Sequence, residues 1–576
     1  MTIPANSLED PFYYLSNFRQ VLAWLRERYS DVLCNEELAF VDGFAVLDKA
    51  AQALLVRMIM RKGPLYRASK LVYAEIGPTE LAVAPLLQRG WVDDQHPISL
   101  GQLFDLLGKA ELYQRFRHHG LLSGARKAQW LEQLCEHYLD EQPFAHWWPE
   151  LDDAVYALQI RGLCERMRLL FFGNLYQDWS EFVLADLGIY RYEQVPLNAE
   201  SRSLHHATHI DQYMVLHEAR QALEAGLERE PLVAGVLSLE LDNPWLRSRR
   251  DKLLFQMGYL YEREGLLDQA LVIYQASTFA ESRARQVRVL ERMGRLEQAV
   301  ELAQSALQSP QNALEAAPNA AERQQLQRML PRLRRGLGLP AQPKRKAAPP
   351  QRLDLCLLRD GPARSVEAWV QAHLQEEGGL VFYVENTLFT SLFGLLCWPA
   401  IFAPLPGAFF HPFQSGPTDL HQADFHARRA ALFEACLMEL EDGRYPATIR
   451  QRYRDKFGLQ SPFVYWSMLD EALLDLALKC LPAAHLSHCF RRMLEDLKAN
   501  CAGMPDLIQF WPERRSYRMI EVKGPGDRLQ DNQVRWLAFC AEHRMPVEVC
   551  YVTWQSSADD TLIDTAIAAM AQQADA

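Results

Sequence analysis

Asp506, Glu521 and Lys523, near the carboxyl end of the chain, combine two carboxylates with an amine. Carboxylate oxygens, a backbone carbonyl and retained waters are the ligands that Mg²⁺ prefers, and the carbonyl of Val522 is the natural additional one. A bound metal lowers the pKa of an attacking water and stabilises the leaving oxygen, while the lysine orients that water or neutralises transition-state charge. These residues predict metal-dependent hydrolysis of a phosphodiester. The alternative is a surface hairpin whose charges form a solvated ion pair.

The elements around these residues predict a small sheet with one helix. The runs 507–511 and 517–522 are apolar and are joined by a polar turn, which is typical of a β-hairpin. Because side chains alternate along a strand, the glutamate and the lysine of the second run share a face. The stretch 529–544 has helical periodicity, and 547–552 is a further strand by its composition. The order is therefore β-β-α-β, with the acidic residues at the end of the hairpin.

This order of elements resembles the core of the PD-(D/E)xK nucleases. Three motifs are more specifically similar to the VRR-NUC branch of that fold: Gly-Met-Pro-Asp at 503–506, Glu-Val-Lys-Gly-Pro-Gly-Asp-Arg-Leu at 521–529, and Gln-Val-Arg-Trp-Leu at 533–537. The resemblance implies a carboxyl-terminal α/β nuclease domain.

Glu385 stands where a polar loop meets an uncharged apolar helix. Its residues alone favour a helix N-terminal glutamate stabilised by the helix dipole, and a further carboxylate of the metal shell is the alternative. The stretch 388–402, Leu-Phe-Thr-Ser-Leu-Phe-Gly-Leu-Leu-Cys-Trp-Pro-Ala-Ile-Phe, resembles the glutamate helix of the Fanconi-associated nuclease family. The order of a SAP-like module, helical repeats and a VRR-NUC domain is similar to that family too. Asn386 stands where the relatives carry glycine, which bears on the local backbone angles.

The family resemblance implies a structure-selective 5′-flap endonuclease and 5′-to-3′ exonuclease that acts in the repair of DNA interstrand crosslinks. It implies branched or flapped double-stranded DNA with a 5′ phosphate as the partner, and Mg²⁺ or Mn²⁺ as the cofactor. Lys523 would be the catalytic lysine, and the side-chain amide of Gln533 would position the attacking water or a phosphate oxygen. The implied metal ligands are Glu385, Asp506, Glu521 and the carbonyl of Val522.

Two other functions stay open. The nuclease core could serve Holliday-junction resolution or restriction, and a junction resolver acts as a symmetric dimer. The chain could also be a noncatalytic DNA-repair scaffold, but that requires loss of the acidic residues, all of which are retained. We expect a monomer, or a dimer that forms on DNA.

Basic residues outside the metal site are the predicted DNA contacts. The stretch 112–134 is similar to a SAP module, in which amides and lysines at the second helix's N-terminus meet phosphates, and Arg126 and Lys127 lie there. Arg247 and Arg249 precede the first helical repeat and could form a phosphate pocket, although a solvated basic turn is the alternative. The remaining candidates are Lys498, Arg528 and Arg535.

The whole chain is predicted to be multidomain and predominantly α-helical, with the α/β nuclease domain at its carboxyl end. Residues 254–274 have the offsets of a tetratricopeptide repeat (TPR), and a degenerate second unit follows. The expected segments are an N-terminal helical domain (1–64), a SAP-like DNA-binding domain (65–150), a helical TPR-like domain (151–340), a linker (341–360) and the VRR-NUC domain (361–576).

Composition limits the partners and the compartment. The net charge of −12 means that basic residues must be unevenly distributed if the partner is DNA. Eleven cysteines without a CxxC pair indicate reduced thiols in a cytoplasmic protein, which would associate with the nucleoid in a bacterium or enter the nucleus in a eukaryote. Residues 386–410 carry no charge, but prolines interrupt them, so we predict a buried helix and an irregular turn without membrane insertion.

Overall fold

The structure is a computed structural model that describes residues 10–179, 190–308, 319–340, 350–359, 364–422 and 424–555. The chain divides into two compact units, of which the first comprises 1–191, 197–217 and 410–413 and the second comprises the remainder. Both are mainly helical, and the α/β part lies at the carboxyl end, as predicted. The boundaries of the five expected segments stay a prediction.

The first unit combines helices with a small antiparallel sheet of order β1-β3-β2. Its strands are β1 (Leu65–Arg67), β2 (Val92–Asp93) and β3 (Val155–Leu158). Its helices in the described ranges are α1 (Tyr13–Tyr29), α2 (Asn35–Ala45), α3 (Lys49–Ile59), α4 (Thr79–Gln88), α5 (Leu100–Leu106), α6 (Lys109–Phe116), α7 (Lys127–Leu134), α8 (Phe144–Trp147) and α9 (Arg161–Phe172). Helix α10 (Ala207–Glu224) begins in this unit and ends in the second.

The second unit contains a stack of helices and the nuclease-like sheet. Its helices in the described ranges are α11 (Arg229–Leu237), α12 (Pro244–Glu264), α13 (Leu267–Gln275), α14 (Ser282–Arg292), α15 (Leu296–Gln308), α16 (Ala320–Gly336), α17 (Val366–Leu374), α18 (Leu388–Leu396), α19 (Trp398–Ile401), α20 (Phe425–Arg428), α21 (Ala430–Asp442), α22 (Tyr445–Asp455), α23 (Glu471–Cys480), α24 (Ala483–Glu495), α25 (Leu497–Asn500) and α26 (Asp531–Glu542).

Two local features stabilise the helical repeats: an N-terminal cap on α12 and a close glycine–tyrosine contact. The amide oxygen of Asn243 accepts a hydrogen bond from the backbone N–H of Trp245 at 2.9 Å and so caps α12. Gly258 lies against the ring of Tyr274, where an added Cβ would come within 2.9 Å of a ring carbon. Each helix from α12 to α16 packs against the next one, which stacks them in sequence order.

The five-stranded sheet has the order β4-β8-β7-β6-β5. Strands β5, β6 and β7 are antiparallel neighbours, whereas β8 lies parallel to both β7 and β4. The predicted hairpin, helix and final strand are confirmed as β6, β7, α26 and β8. The strand bounds are β4 (Gln351–Leu357), β5 (Leu380–Tyr383), β6 (Leu507–Trp511), β7 (Ser516–Lys523) and β8 (Val547–Trp554).

Strand β4 differs from the sequence-based expectation, because it lies inside the predicted linker 341–360. Leu353, Leu355 and Leu357 alternate along it and contribute to the apolar cluster between the sheet and α17. The Pro- and Arg-rich flank concealed this period of two, and the pairing partner β8 lies almost two hundred residues away.

The uncharged stretch 386–410 forms the predicted buried helix followed by an irregular turn. Every residue of α18 is buried, and Gly394 lies so close to Phe463 that an added Cβ would come within 2.7 Å of its Cβ. Among the residues that the structure describes, no helix has the length and apolarity needed to cross a membrane.

Candidate active site

The hairpin brings the predicted acidic residues together. Leu507 pairs with Ile520 across β6 and β7, which places Asp506 beside Glu521. The Oδ2 atom of Asp506 accepts a hydrogen bond from the backbone N–H of Val522 at 2.8 Å. Asp506 is 7% exposed and Glu521 only 1%, so two carboxylates lie close together with little access to water.

Lys523 completes the predicted trio. Its Nζ atom lies 2.8 Å from Oε1 of Glu521, as the shared face of β7 predicts, and its side chain is largely buried. A buried ammonium beside a carboxylate is positioned to meet negative charge that develops on a phosphate.

Glu385 reaches the same end of the sheet through strand β5. Tyr383 pairs with Leu507, and the backbone N–H of Val384 donates to the carbonyl oxygen of Asp506 at 2.9 Å. The Glu385 carboxylate accepts hydrogen bonds from the hydroxyl of Tyr383 and from the side-chain amide of Asn386. The structure therefore places Glu385 near the hairpin, held by its own neighbours.

Asn386 fixes the backbone after Glu385. Its φ angle is +53°, in the left-handed region that glycine and asparagine tolerate best. Its side-chain oxygen also accepts a hydrogen bond from the backbone N–H of Met504 at 3.0 Å. The residue thus satisfies the unusual backbone angle and ties the Glu385 loop to the Gly-Met-Pro-Asp segment.

Burial makes the carboxylates hard to ionise. Burial is the largest cause that raises the pKa of Asp506 to about 6, partly offset by the hydrogen bond from the Val522 N–H and reinforced by the nearby charge of Glu385. Burial likewise raises the pKa of Glu521 to about 7, with repulsion from Asp506 as the next cause. Negative charge concentrated in a poorly hydrated site attracts a cation.

The donor set fits a hard divalent metal. Both carboxylate oxygens of Glu521 are buried; Oε1 faces the ammonium of Lys523 at 2.8 Å, whereas Oε2 has no hydrogen-bond partner. Oxygen atoms left without donors are available as ligands. In the described part of the chain no three histidine, cysteine or carboxylate side chains already form a metal-binding cluster, and Glu385 hydrogen-bonds to Tyr383 and Asn386 instead.

Gln533 lies at the start of α26, where it serves as a cap. Its Oε1 atom accepts a hydrogen bond from the backbone N–H of Gln530 at 2.8 Å. Gly503, with a φ angle of +89°, packs so tightly on Asn532 that an added Cβ would lie 2.7 Å from the asparagine Cβ. The helix start therefore adjoins the acidic segment, and the role of Gln533 toward water or phosphate stays a prediction.

Four of the predicted DNA-contact side chains have contacts within the protein. Lys127 donates to the carbonyl oxygen of Leu107 at 2.8 Å, and Lys498 lies 3.0 Å from a carboxylate oxygen of Glu281. The others are Arg249, whose guanidinium lies 3.9 Å from the ring centre of Trp245, and Arg535, which donates to Gln324.

Arg126, Arg247 and Arg528 are exposed, so their side chains are accessible to a ligand. Arg126 directly precedes α7, and its backbone N–H is bound by the side chain of Gln129. The assignment of all seven residues to DNA stays a prediction.

Glu367 is an acidic residue near the site that the sequence reasoning missed. It is the second residue of α17, and its charge contributes to the raised pKa of Asp506. The preceding residue, Val366, lies against Gly524, which directly follows Lys523. Ser365 caps this helix, but nothing in the local sequence indicates that the helix packs beside the hairpin.

Three family models match separate parts of the chain. The VRR-NUC domain matches residues 440–554, the FAN1 HTH domain matches 12–93, and the Fanconi anemia-associated nuclease SAP domain matches 97–147. The matched VRR-NUC region contains β6, β7, α26 and β8.

The chain is similar to other proteins over nearly its full length. The Fanconi-associated nuclease 1 homolog of Pseudomonas aeruginosa is 55% identical over 96% of this chain and 98% of its own length. The homolog of Arabidopsis thaliana is 26% identical over 94% of this chain and 67% of its own length. The crystal structure of paFAN1 bound to 5′-flap DNA with a two-nucleotide flap and a gap matches with a TM-score of 0.88, covering 96% of this chain and all of that one.

Proposed function

The chain belongs to the Fanconi-associated nuclease family, and from this premise we propose that it is a 5′-flap endonuclease and 5′-to-3′ exonuclease acting in DNA interstrand crosslink repair. The observation that carries the proposal is the convergence of Asp506, Glu521 and Lys523 at the end of the β6–β7 hairpin. The crystal structure of the similar protein paFAN1 bound to 5′-flap DNA supports flapped DNA as the substrate.

Mg²⁺ or Mn²⁺ is the proposed cofactor, with Glu385, Asp506, Glu521 and the carbonyl of Val522 as its ligands. When bound, such a metal activates water and stabilises the leaving oxygen. Asp506 is held in place by the Val522 N–H, and Lys523 is held by Glu521. In this proposal the ammonium of Lys523 stabilises charge on the scissile phosphate, and Gln533 positions the water or a phosphate oxygen.

The proposed partner is branched or flapped duplex DNA with a 5′ phosphate, bound by a monomer or by a dimer that forms on DNA. Arg126, Arg247 and Arg528 are the accessible members of the proposed contact set. We expect the protein to act where the DNA lies, in the nucleoid of a bacterium or the nucleus of a eukaryote.

The test is cleavage of a labelled 5′-flap duplex in Mn²⁺ by the wild type and by Asp506→Ala. Splayed-arm DNA, a four-way junction and plain duplex serve as competing substrates. We expect cutting near the flap junction by the wild type and none by the variant. Preferred cutting of the four-way junction would indicate resolution instead, and DNA binding without any cutting would indicate a scaffold.

A further inference from the structure

Positive charge is segregated within the helical stack. Helix α14 carries four arginines and one glutamate, and α16 carries five arginines and one glutamate. The alternate helices α13 and α15 contain no lysine or arginine. In a chain of net charge −12, this alternation concentrates positive charge on one set of helices.

On α14, three arginines surround a single buried carboxylate. Tyr274 donates a hydrogen bond to the other oxygen of Glu262 at 2.9 Å, so one carboxylate is shared by three guanidinium groups and a hydroxyl. Three guanidinium groups beside one carboxylate leave an excess of positive charge and of N–H donors. Their nitrogen atoms lie 3.5, 3.5 and 3.8 Å from Oε1 of Glu262, in Arg285, Arg288 and Arg292 respectively.

A second row lies on α16. Arg328, Arg332 and Arg335 follow the i, i+4, i+7 spacing of one helix face and are exposed. Arg332 forms two hydrogen bonds of 2.7 Å with Glu291 of α14, so the two helices are joined along these rows. The two rows together form the arginine surface, which consists of Arg285, Arg288, Arg292, Arg328, Arg332 and Arg335.

The arginine surface is connected to the metal site by a short series of contacts. Arg328 forms an ion pair with Asp531, the first residue of α26. The next residue, Asn532, packs on Gly503, and Met504 is hydrogen-bonded to Asn386 beside Glu385. The α16 row of the arginine surface is therefore linked through three successive contacts to the segments that carry Asp506 and Glu385.

We propose that the arginine surface binds the phosphate backbone of a duplex arm of the DNA that occupies the active site, an inference that rests on the proposed nuclease function. Each row spans about 10 Å, because seven residues separate its first and last arginine at 1.5 Å per helical residue. Rows of this length meet a regular polyanion in several places. Continuity with the site of phosphodiester hydrolysis favours DNA over an acidic protein segment.

The test variant is Arg288→Ala/Arg332→Ala/Arg335→Ala. The matched control, Arg352→Ala/Arg444→Ala/Arg450→Ala, removes the same charge from exposed ion pairs elsewhere in the second unit. Affinity for a fluorescent gapped 5′-flap duplex is measured with Ca²⁺ over a series of KCl concentrations. The slope of log affinity against log salt should fall by about 2 to 3, because each phosphate contact contributes about 0.9.

We expect the dissociation constant of the triple variant to rise at least about tenfold at physiological salt, while the control keeps the wild-type slope. A triple variant with the wild-type slope, or an equal loss in the control, would overturn the inference. Arg288→Ala alone, at the most exposed position of the α14 row, should lower the slope by about 1 and covers the case in which the triple variant does not fold.

Cleavage separates failure of this inference from failure of the proposed function. If the wild type does not cut flap DNA, the proposed function is wrong, whatever the salt slopes are. If the wild type cuts and the triple variant binds with an unchanged slope, only the arginine surface is wrong.

Discussion

Asp506→Asn should stabilise the metal-free protein while it abolishes cleavage. Asp506 is 7% exposed, and burial, together with the charge of Glu385, raises the pKa of its carboxyl group to about 6. Asparagine retains an oxygen that can accept the Val522 N–H and carries no charge. The substitution therefore removes the cost of burying an anion and leaves the hydrogen bond in place.

The magnitude follows from the change in pKa between the unfolded and folded states. A rise from 3.8 to about 6 corresponds to about 3 kcal/mol of free energy of unfolding at about 1.4 kcal/mol per pKa unit. The cost of burying the ionised carboxylate is absent below the pKa of the unfolded state, where both states are protonated. It is complete above the pKa of the folded state. The free energy of unfolding of Asp506→Asn should therefore exceed that of the wild type by about 3 kcal/mol at pH 8 and by about half that at pH 5.

The assay is native-state hydrogen exchange in EDTA, in peptides that cover β6 and β7, with correction for the intrinsic exchange rate at each pH. Asp354→Asn is the control, because Asp354 is exposed and its pKa is lowered by Arg352, so this substitution should not stabilise the sheet. Added Mn²⁺ should protect the wild type and leave Asp506→Asn unchanged. A gain of equal size at both pH values, or none at pH 8, would refute the electrostatic explanation.

Three further substitutions test separate parts of the second unit. Lys523→Ala should slow single-turnover cleavage by roughly 10²- to 10³-fold without loss of Mn²⁺ binding by calorimetry, and unchanged cleavage would exclude a catalytic role. Asn386→Val should cost about 1–3 kcal/mol because a branched residue is strained at φ +53°, whereas Asn386→Gly should retain the fold; equal thermal stability of the two variants would contradict this. Gly258→Ala should destabilise the helical repeats by about 1–3 kcal/mol in urea unfolding, since the Tyr274 ring lies 2.9 Å from an added Cβ, and a neutral result would mean that the ring moves freely.

Local patterns were sufficient to predict the hairpin and the helix after it. Strand alternation, the polar turn and the apolar stripe of α26 all lie within some fifty residues, so Asp506, Glu521 and Lys523 could be placed together from sequence. Strand β4 could not be placed in this way, because its parallel pairing with β8 depends on contacts far along the chain.

The rest of the site depends on tertiary contacts. Glu385 reaches Asp506 only through the pairing of β5 with β6, and its assignment from sequence relied on family resemblance. Side-chain hydrogen bonds could not be predicted either, since a basic or amide side chain bonds to a backbone group as readily as to a ligand. Lys127, which holds the carbonyl of Leu107, and Gln533, which caps α26, are examples.

The contact between α16 and α26 has a consequence for how this protein can diverge. Proteins built from stacked repeats commonly gain or lose a repeat, because each one touches only its neighbours. Here Arg328 and Gln324 of α16 bond directly to Asp531, so the last helix of the stack is anchored to the helix that follows the β6–β7 hairpin. Adding or deleting a repeat at this end would present a different surface to Asp531 and displace the hairpin it supports. Variation in repeat number should therefore accumulate at the amino-terminal end of the stack.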